Sequence, residues 1–249
     1  MATTTAAVPE APQQHIGAFG RIIGAIVNPR PTFEDIARKP SWLLPLLLLI
    51  ILSLAITAIF SHRVGWRAFM EKQDAQNSRM QQLTPEQREQ TLQTQIKVAP
   101  ILGYVFGVIG FPIIALVVAA IFMGIFNATS SAALDFKTSF GVVTHSYMPF
   151  VIASLLGILI LYLKPPDQID LQNLVASNAG TFLSSDAPKW LLALCSSIDI
   201  FTFWVLGLMA FAYSAVRPKK IKFASALTWI VGIWVVLVLV KVGFAAMFS

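Results

Sequence analysis

Charge is scarce in this chain. Asp, Glu, Lys and Arg make up 12% of its 249 residues, about half of the roughly 25% with which a soluble globular domain keeps its surface in water. Apolar side chains fill the deficit, reaching 56% and raising the mean hydropathy to +0.72. That balance excludes a soluble enzyme, a nucleic-acid-binding module and a disordered chain. Cysteine is rarer still: the single Cys195 rules out an internal disulfide and a thiolate cluster for zinc or iron–sulfur, and inside an apolar run it reads as a small packing residue. The histidines, His15, His62 and His145, fall in different layers and do not assemble a metal site. No Gly-x-Ser-x-Gly, no His-Glu-x-x-His, no glycine-rich phosphate loop followed by lysine and no pair of intramembrane aspartates occurs. The sequence therefore predicts a non-enzymatic protein with no catalytic residue, cofactor or metal. Near its start it also lacks a basic stretch followed by an apolar core and a small-residue cleavage site, so no cleaved signal peptide is expected.

Long apolar runs are what it has instead. Crossing ~30 Å of hydrocarbon takes ~20 apolar residues in a helix. Five stretches qualify, at about 42–60, 100–126, 139–163, 190–216 and 223–247. Backbone in lipid must satisfy its own hydrogen bonds, and these runs are continuously apolar where barrel strands would alternate. The predicted fold class is all-α: a polytopic membrane bundle of five transmembrane helices with short interfacial helices. Residues 1–15, without periodicity, are expected to be a disordered tail ahead of a membrane domain over 16–249.

An odd number of spans places the termini on opposite sides. Basic residues divide almost evenly between the two sides, but Arg217, Lys219, Lys220 and Lys222 crowd into one short turn, whereas those of loop 62–99 are diluted among acids. Short dense loops carry most of the positive-inside signal. This predicts a cytoplasmic N-terminus and an external C-terminus.

Outside the hydrocarbon, apolar residues at 16, 19, 22, 23, 26 and 27 share one helical face and predict an interfacial helix ending at Asn28-Pro29. Thr32-Phe33-Glu34-Asp35 reads as a capping box, with Thr32 as the cap and Asp35 reaching back. Loop 62–99 reads as two polar helices flanking a break near Thr84, where Thr84-Pro85-Glu86-Gln87 is a second helix start. A short interfacial helix is expected in loop 164–188.

Ionisable groups at membrane depth are costly and so are candidates for function. Asp199 falls near the middle of the fourth run, with Ser196, Ser197 and Thr202 around it. Two readings stand: a proton- or cation-binding carboxyl, or a structural one bonded to a neighbouring helix. His145 and Ser146 precede Pro149, which removes the amide that would bond the carbonyl of residue 145 and so breaks or kinks the third span. Such a break either builds a midplane site, as in many transporters, or merely bends a bundle. Lys241 is read as an anchor that snorkels to the outer interface. Helix-packing candidates are Gly103 and Gly107, a GxxxG pair followed by Gly110, and Trp204 with Gly207 on the fourth span.

Taken in order, Val27-Asn28-Pro29, Thr32-Phe33, Leu44-Pro45, Asp135-Phe136-Lys137-Thr138-Ser139-Phe140, His145-Ser146-Tyr147-Met148-Pro149, Ile198-Asp199-Ile200-Phe201 with Phe203-Trp204 and Gly207, and the turn from Arg217 to Ala226 resemble the Yip family of five-span, Ypt/Rab-interacting membrane proteins. The resemblance implies five helices and a cytosolic N-terminus. For eukaryotic members it implies vesicle transport through Rab proteins. This chain lacks their long N-terminal domain and carries a long polar loop after its first span, so it looks like a bacterial member in the plasma membrane. The expected partners are the lipid bilayer and other membrane proteins or a second copy, with no nucleic acid. Its expected role is membrane organisation or partner binding in the manner of trafficking proteins. The alternative is a solute or ion transporter using Asp199 and the span broken at Pro149.

Overall fold

A computed structural model describes residues 16–75, 78–171, 173–184 and 187–247. The tail expected over 1–15 lies outside them. The described residues form helices and short turns with no strand beyond one isolated two-residue bridge.

The chain begins with a short helical hairpin, α1 (Ala18–Val27) and α2 (Pro29–Arg38). The first apolar run is α3 (Leu43–Arg63). It stops where Val64 and Gly65 both bond the carbonyl of Phe60 at 2.9 and 3.1 Å, Gly65 taking φ +80° as a helix-ending glycine does. Polar helices α4 (Trp66–Ala75) and α5 (Ser78–Gln81) follow. Next comes α6 (Pro85–Ser130), 46 residues without a break, or about 69 Å at 1.5 Å per residue. It exceeds a bilayer core of ~30 Å by more than twofold, so its polar first turns project beyond the hydrocarbon. Pro100 and Pro112 both lie inside it. The third run splits at Tyr147 into α7 (Phe136–Ser146) and α8 (Met148–Leu163). The fourth splits into α9 (Lys189–Cys195) and α10 (Ile200–Val216), and α11 (Phe223–Met247) closes the chain.

Four helical stretches are long and apolar enough to cross a membrane: Leu43–Arg63, Pro85–Ser130, Phe136–Leu163 and Phe223–Met247. The fifth expected span is shorter than predicted. Its continuous helix, α10, has 17 residues, the lower limit for crossing, because the chain turns between Cys195 and Ile200.

Three local expectations are corrected. Thr32 caps nothing: α2 starts three residues earlier with Pro29 at its first position, where proline's fixed φ suits a helix start. Thr32 then sits inside the helix and donates its hydroxyl to the carbonyl of Asn28 at 2.9 Å. Loop 164–188 carries two single-turn 3-10 segments, Pro166–Gln168 and Ala179–Phe182, in place of an interfacial helix. The polar helix that starts after Thr84 does not end before the membrane but runs straight into it as α6. At Thr84 itself both capping-box bonds form, Gln87 N to Thr84 Oγ1 at 3.3 Å and Thr84 N to Gln87 Oε1 at 3.1 Å.

The core lies towards one end of the bundle, around α7. Thr138 to Pro149 is buried without interruption, enclosed by α1, α2, α3, α6 and α10. A second, smaller cluster of Phe60, Leu161 and Ile169 fixes the opposite end, where Arg63 Nη1 donates to Leu161 O at 2.5 Å and its guanidinium lies 5.3 Å from the Tyr162 ring centroid. Outward faces stay apolar, as on α6 (Ile101, Phe106, Ile113) and α11 (Val236, Leu239, Phe244). These are surfaces for lipid.

Candidate functional site

The buried helix α7 is the most polar part of the interior, and its small side chains let neighbours come close. Gly141 faces the chain just before α3 so tightly that a Cβ there would lie 2.8 Å from the carbonyl oxygen of Ser41. Its polar side chains spend their hydrogen bonds locally. Thr144 donates to Phe140 O at 3.0 Å, Ser146 to Val142 O at 2.8 Å, and His145 Nδ1 lies 2.8 Å from Gly141 O. Ser139 alone reaches across helices, donating to Ala119 O at 2.7 Å on α6 and meeting Tyr213 Oη at 2.6 Å on α10. Tyr213 is fully buried, its ring 4.8 Å from that of Phe126. A single hydroxyl pair thus ties three spans together.

Below α7, the α1–α2 hairpin is closed by a buried ion pair. Arg21 Nη2 and Nε lie 2.7 and 2.8 Å from Asp35 Oδ2, and Nη1 donates to Lys39 O at 2.9 Å and Ser41 Oγ at 2.6 Å. With Arg21 drawn inward, Phe19, Ile23 and Val27 point out, 76%, 65% and 72% exposed. These three positions at i, i+4 and i+8 form one stripe. The hairpin is tight: a Cβ on Gly24 would come within 2.3 Å of Thr32 Oγ1.

The same end of the bundle carries the basic turn after α10. Arg217 Nε and Nη2 donate to the carbonyls of Ala132 and Ala133 at 3.1 and 3.3 Å. Asn127 holds the same linker from α6, with Leu134 N donating to Oδ1 at 2.7 Å and Nδ2 donating to Leu134 O at 2.9 Å. The linker needs such support because Ser131 and Ala133 both sit at positive φ, +46° and +49°, which costs a non-glycine residue on the order of 1 kcal/mol or more. Asp135 caps α7 through Thr138 N at 2.9 Å and Thr138 Oγ1 at 2.6 Å. Partial burial pushes the Asp135 carboxyl up, but the Thr138 bonds together with the positive charge of Arg217 hold it below its ordinary value.

The sequence-predicted residues are not brought into one site. Asp199 is not at mid-span: it is the N-cap of α10, accepting from Thr202 N at 2.8 Å and from the Ser177 hydroxyl. Two backbone bonds, Ala179 N to Ile198 O at 3.0 Å and Ile200 N to Ser177 O at 3.2 Å, lash this break to loop 164–188. His145 instead lines a cavity of about 400 Å³ with Ala18, Ser41, Trp42 and Leu47. Ser146 turns back on its own helix, and Pro149 follows the break at Tyr147. A Cβ on Gly103 would meet Trp66 and Thr57 at 3.1–3.2 Å, and one on Gly107 would meet Leu54 and Ser53 at 3.2–3.3 Å, so both glycines stand against the α3–α4 hairpin. Gly110 and Gly207 face open space, and Trp204 is 40% exposed. Lys241 Nζ reaches Ser196 Oγ and Ser197 Oγ at 3.0 and 3.1 Å.

Sequence reasoning missed Arg21–Asp35, Ser139–Tyr213 and the Arg217 clamp. Each joins residues far apart in the chain, and the local signal that could have pointed to this region, the N-cap spacing Asp135-x-x-Thr138 that the structure confirms at 2.9 Å, was not read as a cap. Among the described residues no cluster of three or more His, Cys, Asp or Glu side chains could hold a metal.

A helical bundle with apolar outer faces, several helices of membrane-crossing length and its polar groups turned inward is a multi-pass integral membrane protein. The family model of the Yip1 domain matches residues 23–242, nearly the whole described chain, and the protein belongs to that family. No curated protein and no solved structure matches it.

Proposed function

We propose that this Yip-family protein acts without catalysis, organising the membrane or binding other membrane proteins from the end of the bundle that carries α1, α2 and the basic turn. The observation that carries this reading is how the polar side chains are disposed. Those of α7 bond within the bundle, while the same end turns outward the apolar stripe Phe19, Ile23 and Val27 and the basic residues Lys219, Lys220 and Lys222. An apolar stripe beside a basic cluster suits an anionic headgroup layer and proteins docked upon it. The reading places this end in the cytoplasm of a bacterial cell, at the plasma membrane, with the C-terminus outside. Membership of a family associated with membrane trafficking agrees with it.

Photocrosslinking amino acids placed at Phe19 and Lys219 in native membranes test the reading. It predicts discrete protein adducts, or a homodimer, from these two positions and not from Phe244 on α11. Equal, diffuse labelling from all three positions would overturn it.

A further inference from the structure

At the other end of the bundle, Lys241 presents an unusual combination. Its ammonium group is bound by two neutral hydroxyls, Ser196 Oγ at 3.0 Å and Ser197 Oγ at 3.1 Å. Both hydroxyls already donate to Ala193 O, at 3.2 and 2.8 Å, so they can only accept from the lysine. Two ammonium protons are thereby used and the third is left for an outside acceptor. No carboxylate among the described residues pairs with Lys241. The group borders a cavity of about 550 Å³ that Asn173, Gly180 and Lys189 also line.

One helical turn deeper the chemistry reverses. Leu237, four residues before Lys241, lines a cleft of about 240 Å³ between α6, α8, α10 and α11 whose walls, among them Phe111, Phe150, Met209 and Trp234, are almost wholly apolar. Ile230, Trp234, Leu237 and Lys241 are three or four residues apart and so fall on one face of α11. An apolar cleft thus runs along the same helix face that ends in a cation with no carboxylate partner among the described residues.

We propose that this face of α11 holds one anionic phospholipid, with an acyl chain in the cleft beside Trp234 and the headgroup phosphate at Lys241. A phosphate oxygen accepts the third ammonium proton and supplies the missing negative charge. The chain fills a space that water would occupy only at a cost, because the cleft offers it almost no hydrogen-bonding partner. The inference is independent of the partner-binding end, which lies across the membrane.

The full-length protein in nanodiscs tests it, with phospholipids brominated on the acyl chain as quenchers of tryptophan fluorescence. Quenching at Trp234 is read as the part lost in Trp234→Phe. Phosphatidylglycerol should be preferred over phosphatidylcholine by about fivefold, the contribution of one basic residue to binding an anionic lipid. The preference should fall to parity in Lys241→Gln and persist in Lys241→Arg. Leu237→Phe, which narrows the cleft, should reduce Trp234 quenching by both lipids. Added inorganic phosphate should leave the lipid preference unchanged. The proposal is overturned if Lys241→Gln keeps the preference, if Trp234 is not quenched, if Leu237→Phe has no effect, or if inorganic phosphate abolishes the preference.

Discussion

Arg21 and Asp35 meet at 2.7 Å with each side chain only 5% exposed, and this pair sets the geometry of the α1–α2 hairpin. By drawing the only charge of α1 inward it frees the opposite face for lipid. Removing one partner of a buried pair leaves a charge without compensation, at about 3–5 kcal/mol. Asp35→Leu should therefore lower the thermal unfolding midpoint in detergent markedly, and Arg21→Met/Asp35→Leu should recover part of the loss. An Asp35→Leu protein as stable as the parent would contradict this.

Gly24 and Thr32 form the tightest contact of that hairpin. Gly24→Ala places a Cβ 2.3 Å from Thr32 Oγ1, an overlap of the kind that costs about 1–3 kcal/mol. In the Thr32→Ala background the nearest remaining atom, Thr32 Cβ, is 3.5 Å away, and the same substitution should be nearly neutral. A double-mutant cycle on thermal unfolding reads the coupling. Additive effects would show that the hairpin is looser than described.

Asp199 divides the fourth apolar run by capping α10. Asp199→Ala removes the cap and leaves the Ser177 hydroxyl unpaired, at about 1–3 kcal/mol. Asn is nearly as good an N-cap as Asp, so Asp199→Asn should keep most of that stability. Loss of fold with Asp199→Asn, equal to that with Asp199→Ala, would mean that the charge and not the cap is what matters.

Asp135 makes stability depend on acid. Its folded value lies below the ordinary 3.8, so the unfolded chain binds the proton more tightly. The contribution is whole above the ordinary value and disappears as pH falls through the lower folded one. The stability difference between the parent and Asp135→Asn should be constant from about pH 7 to about pH 5 and shrink below about pH 4. Because the carboxylate is largely exposed, the difference is small. A difference that grows on acidification would contradict the assignment.

What could be read from the sequence follows the range of the forces involved. Apolar runs mark spans because burial in lipid depends on composition over ~20 residues, and this located α3, α6, α8 and α11. The Thr84 box was legible because its two bonds join residues three apart. Thr32 misled for the same reason in reverse: the motif was present, but Pro29 opened the helix one turn sooner. The break at Asp199 was hidden because 190–216 is apolar enough overall to read as one span in spite of Ser196, Ser197, Asp199 and Thr202, while the bonds that stabilise the break come from Ser177 and Ala179 in another loop. The burial of α7 depends on five surrounding helices, which no local pattern describes. The cluster of small residues Ser139, Gly141 and Ser146 is its trace in the sequence.

The proposed topology puts the hairpin, the linker held by Arg217 and the basic turn on one side of the membrane, opposite the projecting start of α6. Single cysteines in a Cys195→Ser background, probed in intact cells with a membrane-impermeant maleimide, measure this directly. Arg30→Cys, Lys137→Cys and Lys220→Cys should stay unlabelled until the cells are opened, while Gln90→Cys labels at once. Labelling of Gln90→Cys together with any of the other three in intact cells would contradict the account.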